Sequence, residues 1–345
     1  MDAVVVGAGI VGMSTALALK DRHPDWRILV IDRSPFGGGS TRNAGFACFG
    51  SPSELLEDWL TLGTQTTLDL VRMRWEGLAS LRAAWGDEAI GFKPCGSVEA
   101  FTDGSMFESC ATTLPELNER LADLFGQAPF SLSAPAKHGL RNLVGAIASP
   151  LEGAISTDLL IRTMRRQLEH RNIVTLLGLE LQGMERDSSG WLLHTAGGSF
   201  HSPRVALATN AFSRQWLDLD VQPIDNHVVV TVALPRLKMT QTMHHDRGYV
   251  YARQVGDQLL IGGGRQWNLE GPEATQDSLI EWARRHIEGA EDATIRQAWT
   301  GQLGIGNNRW PIVEKVDEGL WCAVRMGGMG VAIGHGIGKK LAEMM

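Results

Sequence analysis

Gly7, Gly9 and Gly12 stand in G-x-G-x-x-G spacing directly after the apolar, β-branched run Ala3 to Val6. Each has its own physical task in holding a dinucleotide. The first makes a tight turn, the second lets the backbone approach a pyrophosphate, and the third lets the following helix pack against the strand. Ala8, Ile10 and Val11 fill the spacing, and the phosphate is expected at the positive end of the helix that begins there. A second apolar run, Arg27 to Ile31, ends at Asp32, whose carboxylate can accept bonds from ribose hydroxyls; Arg33 follows.

The next stretch separates one dinucleotide from another. Gly37-Gly38-Gly39-Ser40-Thr41-Arg42-Asn43-Ala44-Gly45-Phe46 offers two hydroxyls, a guanidinium and a series of backbone N–H groups. Together these suit a long, anionic, partly aromatic ligand. A nicotinamide dinucleotide needs no such second loop. Here the chain resembles the D-amino-acid oxidase-like (DAO) family of FAD-dependent oxidoreductases, which includes glycine oxidase, sarcosine oxidase and D-amino-acid dehydrogenases. In that family a segment G-x-S-x-R-N-x-G follows the ribose-binding acid and lies along the pyrophosphate and flavin ring.

Further blocks carry the resemblance along the chain. Glu180 to Glu185, with Leu181, matches the segment under the adenine. Val205 to Ala211 resembles a strand ending A-T-G-A; here Ala208-Thr209-Asn210 puts Asn in the glycine's place, and Asn tolerates left-handed backbone. Gly327-Gly328-Met329-Gly330-Val331 resembles the closing G-H-x-G-H-G, whose N–H groups at a helix start face the flavin pyrimidine and favour negative charge on it. The implied cofactor is non-covalent FAD, since no histidine sits in the Ser40 to Phe46 loop and Cys322 lies within a strand.

The substrate side rests on fewer residues. The chain's only tyrosines, Tyr249 and Tyr251, alternate with Arg253 in strand parity and precede Gly262-Gly263-Gly264-Arg265, so they are expected to floor a polar pocket. The family's substrate-binding tyrosine lies on this sheet. Trp299-Thr300-Gly301-Gln302-Leu303-Gly304 resembles the family's W-x-G-x-R-P but lacks the arginine that grips a substrate carboxylate. Arg265, Arg309 and Arg325 remain as replacements.

The implied reaction passes a hydride from a carbon bearing an amine, in an amino acid or secondary amine, to flavin N5. Water then hydrolyses the imine, and dioxygen or a quinone-type carrier takes the electrons. No dedicated base is needed if the amine binds neutral. The alternatives are a 2-hydroxy-acid oxidoreductase with His335 as base, an NAD-dependent dehydrogenase, and a non-catalytic FAD-binding subunit.

Composition sets the frame for these residues. The chain of 345 residues is 43% apolar and 21% charged, with net charge −7 and no basic run, which excludes disorder and argues against nucleic acid as partner. Cys48, Cys95, Cys110 and Cys322 form no C-x-x-C pair, so neither a metal site nor a disulfide framework is expected, and the chain reads as cytoplasmic. The apolar stretch Ala3 to Leu19 is broken by glycines and lacks a basic leader; no membrane span is expected.

Helices are expected over Glu54 to Leu62, Gln65 to Trp85, Leu114 to Phe125 and, capped by Ser156 or Thr157, to about Arg171. Strands are expected at Gly96 to Phe101, Val174 to Leu177, Trp191 to Thr195, His227 to Ala233, Gly248 to Arg253, Gln258 to Gly262 and Leu320 to Val324. His244 and His245 fall in a loop on this reading. The resemblance implies a two-domain, glutathione-reductase-like α/β architecture. A Rossmann-like FAD-binding domain takes residues 1–50, 146–220 and 300–345. An α+β substrate domain with a mixed, largely antiparallel sheet takes 51–145 and 221–299.

Overall fold

The computed structural model describes residues 1–345. Two sheets organise it. The first has six strands in the order Ile312–Asp317, Leu320–Val324, Val205–Leu207, Ala3–Val6, Ile28–Asp32 and Val174–Leu177. All neighbours are parallel except the first pair. Its central strands are apolar throughout because both faces are covered. On one face lie helices Ile10–Arg22, Thr64–Trp85, Thr157–His170 and Gly330–Met344; Met13, Leu19, Met164 and Leu341 fill the space beneath them. The other face carries a three-stranded sheet, Leu181–Asp187, Gly190–Thr195 and Gly198–Ser202, through Trp191 and Leu193.

The helix Ile10–Arg22 fits against the last helix because glycines sit at the crossing. A Cβ on Gly338 would stand 2.5 Å from the Val11 carbonyl oxygen. The first and last helical segments thereby share one interface.

The second sheet has eight strands, in the order Ile295–Ile305, Gln222–Thr231, Gln258–Gly263, Val250–Val255, Thr242–His245, Ser97–Phe101, Gly145–Ser149 and Ser131–Ser133. It is antiparallel except where Thr242–His245 runs parallel to Ser97–Phe101. Residues 146–149 and 300–305, expected on the nucleotide side, are hydrogen-bonded into this sheet.

Most elements fall where their periodicity places them. The helix expected from Leu114 begins ten residues earlier, at Gly104. The Asp103 side chain accepts the Ser105 and Met106 amides, and Cys110 joins Leu114, Leu117 and Leu121 on the buried face, with Pro115 carried inside. Gly271–His286 is an unanticipated helix that packs Leu279, Ile280 and Ala283 under the eight-stranded sheet. No helix is long and apolar enough to cross a membrane.

Candidate active site

A cleft of about 570 Å³ runs past the first βα turn. Gly7, Gly9, Ile10, Val11, Asp32, Arg33, Ser40, Arg42, Asn43, Leu181, Ala208, Thr209, Asn210, Gly328, Gly330 and Val331 all line it. Its shape depends on missing side chains. Gly7 has φ +111°, and a Cβ there would lie 2.5 Å from the Ala208 carbonyl oxygen. On Gly12 a Cβ would stand 1.8 Å from the Gly7 oxygen, and on Gly9, 2.8 Å from Ser40 Oγ. The Ile10 amide donates to that same Ser40 Oγ at 3.0 Å, so the second loop closes over the helix start.

Asp32 does more than face a ribose. Its Oδ2 accepts the Ala8 amide at 2.7 Å and its Oδ1 the Ser34 amide at 2.8 Å, which fixes the glycine turn. Each oxygen keeps a lone pair for a hydroxyl. Thr41 does not line the cleft; its hydroxyl donates to the Gly38 carbonyl. Ala8 and Gly12 also lie behind the wall. The Arg33 guanidinium lies 3.6 Å over the Phe212 ring. Asn210 adopts φ +46°, and its side-chain oxygen accepts the Met326 amide at 3.2 Å.

A second cavity of about 160 Å³ shares Arg42, Asn43, Gln302, Leu303, Gly328 and Val331 with the cleft, so the two adjoin. Ala44, Gly45, Phe46, Gly327 and Met329, expected at the flavin, line this smaller cavity instead. The eight-stranded sheet supplies its floor through Val228, Tyr251 and His244, which belong to a cross-strand row in which Val228, Gly262, Tyr251, His244 and Glu99 sit opposite one another on successive strands. Gly262 is required in that row. A Cβ there would be 2.5 Å from Tyr251 Oη.

Tyr251 receives a hydrogen bond from the Asn226 side-chain amide at 2.6 Å, and burial pushes its hydroxyl up to about 12. It therefore stays protonated, with its own O–H free to donate. Arg253 shares its face, as expected, but serves the loop: its Nε donates to the Ala44 carbonyl at 2.5 Å. Tyr249 lies just before the strand and lines neither cavity; its ring lies 4.6 Å beneath the Arg265 guanidinium.

The three arginines proposed for a carboxylate separate sharply. Arg325, at φ +62°, lines neither cavity and spends four of its five N–H donors on Trp310, Asp220 and Asn308, which corrects its expected substrate role. Arg309 reaches the small cavity but is held by Glu54 at 2.5 Å, Glu57 at 2.7 Å and Asp58 at 3.0 Å. Burial pushes the Glu54 carboxyl up, yet Arg74 and Arg309 outweigh it and hold it at about 2. Asp58 is pushed up to about 6 by burial and by Glu54, against Arg309. Arg265 lines the cavity and pairs with no carboxylate.

The two histidines exchange expected places. His335 lines neither the cleft nor the small cavity; its Nδ1 meets Ser14 Oγ at 3.1 Å and its ring meets the edge of Trp85, so it is no base for a substrate there. His244, expected in a loop, lies in the buried strand Thr242–His245 and lines the small cavity. Asn226, Glu54 and Arg247 were likewise unmarked by sequence. The alternation Thr242-Met243-His244 before a glycine turn is the local signal for the strand; nothing local marks the other three.

A dinucleotide cleft that opens onto a polar cavity floored by a second sheet defines a two-domain flavoprotein oxidoreductase. The chain belongs to the DAO family, FAD dependent oxidoreductase, whose family model matches residues 2–344. It is 23% identical to glycine oxidase of Geobacillus kaustophilus over 282 residues, which covers 76% of this chain and 69% of that protein. It is 22% identical to gamma-glutamylputrescine oxidoreductase of Escherichia coli over 373 residues, covering 100% of this chain and 83% of the relative. Among solved structures, L-proline dehydrogenase from P. horikoshii superposes with a TM-score of 0.78 at 17% identity, over 99% of this chain and 92% of the other. FAD is thus the cofactor, and the protein is an FAD-dependent oxidoreductase.

Proposed function

We propose that the protein oxidises the carbon next to an amine in a small substrate that also carries a carboxylate, an amino acid or a close secondary-amine analogue. The observation that carries this reading is Arg265, the one arginine in the small cavity with neither a carboxylate nor a carbonyl partner. An unpaired guanidinium beside a free tyrosine O–H is a receptor for a carboxylate. Arg265 then pairs with the substrate, Tyr251 donates to it, and the Asn226 amide aims the hydroxyl. A cavity of about 160 Å³ holds about five waters at roughly 30 Å³ each, which suits an amino acid of modest size.

Phe46, Leu303 and Met329 keep water from the reacting carbon. FAD, when bound, supplies the hydride acceptor, and the resulting imine is left to hydrolysis. We assign its pyrophosphate to the Gly7–Gly12 turn and Ser40, its ribose to Asp32, its adenine to the Arg33 and Phe212 end, and its ring to the wall at Gly328 and Val331. We also draw the border of the FAD unit so that 145–149 and 295–305 fall to the substrate unit, in keeping with their sheet.

The test is anaerobic flavin bleaching across paired panels of amines, amino acids and 2-hydroxy acids, each with and without a carboxylate. Bleaching by carboxylated amines above the others is expected; preference for 2-hydroxy acids overturns the reading. Reoxidation in air or by a soluble quinone then identifies the electron acceptor.

A further inference from the structure

An amine arrives as an ammonium with no lone pair to drive hydride loss, so one proton must leave the nitrogen first. Behind the small cavity His244 Nε2 lies 3.7 Å from Glu152 Oε2. Both atoms are enclosed and neither has a hydrogen-bond partner. His244 is 7% exposed and Glu152 1%. The other Glu152 oxygen accepts the Phe49 amide at 2.6 Å and the Gly50 amide at 3.2 Å, which fixes the carboxyl. The His244 ring is braced edge-on by Phe46 at 5.2 Å. Its Nδ1 is on the cavity side, 3.9 Å from where a Cβ on the cavity residue Gly248 would sit. Two buried, unpartnered polar atoms facing each other are costly unless they serve a purpose.

We infer that His244 and Glu152 form a proton relay that carries the substrate's ammonium proton out of the cavity. The inference rests on the amine reading above. The ammonium N–H bond breaks as an N–H bond forms at His244 Nδ1. The Nε2–H bond breaks as an O–H bond forms at Glu152 Oε2. The ring ends neutral, the carboxylate ends as a carboxylic acid, the amine regains its lone pair, and no electrons change hands. The 3.7 Å gap closes to hydrogen-bond length with a side-chain shift of under about 1 Å, as catalytic contacts do on substrate binding.

The electrostatics suit a conductor and a sink. Burial pushes His244 down to about 4, against Glu54, so the ring is neutral and passes protons without keeping them. Burial, with Glu54 behind it, pushes Glu152 up to about 7, against the nearby Ser97 hydroxyl and the bonds from the Phe49 and Gly50 amides. The other groups around the pair are accounted for. Glu54 is paired with Arg74 and Arg309, and Arg247 with Glu57 and Asp246. Glu99, opposite His244, is bonded to Ser51 and Ser53, while the buried Cys48 thiol is pushed well up by burial and by Glu152. His245 turns to the opposite face and bonds the Ala100 carbonyl.

The test is single-turnover anaerobic flavin reduction by an amine substrate as a function of pH, in wild type, Glu152→Gln and His244→Gln. Gln at 152 keeps an oxygen for the two amides and cannot store a proton. Wild-type rates are expected to rise through an apparent pKa near 7. Both variants should lose that limb, run about 10²-fold slower at pH 7, and rejoin wild type where the amine ionises by itself. An amine already neutral at pH 7 should erase the difference. On the holoenzyme without turnover, infrared titration should show protonated-carboxyl absorbance that fades near pH 7 and that Glu152→Gln reduces by one carboxyl, the remainder belonging to Glu99. Variants slowed by one factor at every pH, or a carboxyl band untouched by Glu152→Gln, overturn the relay alone. A wild-type flavin that no amine reduces overturns the amine reading and the relay's role together.

Discussion

The Asn226 side-chain amide donates to Tyr251 Oη at 2.6 Å across the intervening strand Gln258–Gly263, so the tyrosine's acceptor capacity is used and its proton is left for a ligand. Tyr251→Phe removes that donor. A hydrogen bond to a charged group is worth about 1.5–3 kcal/mol, and 1.4 kcal/mol is tenfold. The apparent substrate constant should rise about 10- to 100-fold with flavin content unchanged. Steady-state kinetics beside a flavin spectrum checks this, and unaltered kinetics would take Tyr251 out of the site.

Gly9→Val tests the cleft. Even the first carbon added at Gly9 would meet Ser40 Oγ at 2.8 Å, and the branches would fill the space where the second loop closes on the helix start. The variant should purify folded but colourless, read as the ratio of absorbance at flavin and protein wavelengths. In the wild type, heat or acid should release all of the flavin into the filtrate, as non-covalent binding requires.

Arg265 and Arg309 should fail in different ways. Arg265→Ala should weaken only substrates that carry a carboxylate, by about 2 kcal/mol, and leave thermal stability within about 0.5 kcal/mol. Arg309→Ala strips Asp58 of its only cation and leaves Glu54 to Arg74 and Glu57 to Arg247, and should cost about 3 kcal/mol of stability. Denaturant melts and kinetics on both variants separate the roles; a stable Arg309→Ala would mean that Arg74 and Arg247 suffice for the cluster and that Asp58 needs no cation.

The Glu99 carboxyl makes stability depend on pH. Burial pushes it up to about 7, and the bonds from Ser53 and Ser51 do not offset that. Its folded-state value lies above its unfolded one, so its contribution is complete below about pH 4.5 and is lost as pH rises through 7. Glu99→Gln mimics the protonated form, keeps an acceptor for the serines, and should narrow the loss between pH 5 and 8 by up to about 3 kcal/mol. Tm against pH for both proteins shows it, and parallel curves would assign Glu99 no titration in that range.

What could be read from the chain was whatever is decided locally. The Gly7–Gly12 turn, Asp32 and the Ser40 loop lie within about 35 residues of one another, and their spacing carries their geometry. The strand Val174–Leu177 and the cap at Ser156 are local in the same sense. The choice between Arg265 and Arg309 was not local. It turned on Glu54, Glu57 and Asp58, some 250 positions away, which reach Arg309 only through tertiary packing. His244 was misplaced for a like reason: its strand exists because Ser97–Phe101, far earlier, lies beside it. The helix Gly271–His286 gained its inward face only once a sheet stood above it.

The crossing of Ile10–Arg22 with Gly330–Met344 has a bearing on synthesis. The turn meant for the pyrophosphate is made some 300 residues before the helix that buries its neighbour and the glycines that complete the cleft. The amino-terminal strand and helix must wait with an apolar face uncovered while some 300 residues are made. FAD can be taken up only once the Gly327–Gly330 segment has been made, and a chain interrupted before it will expose that face to chaperones and will not be yellow.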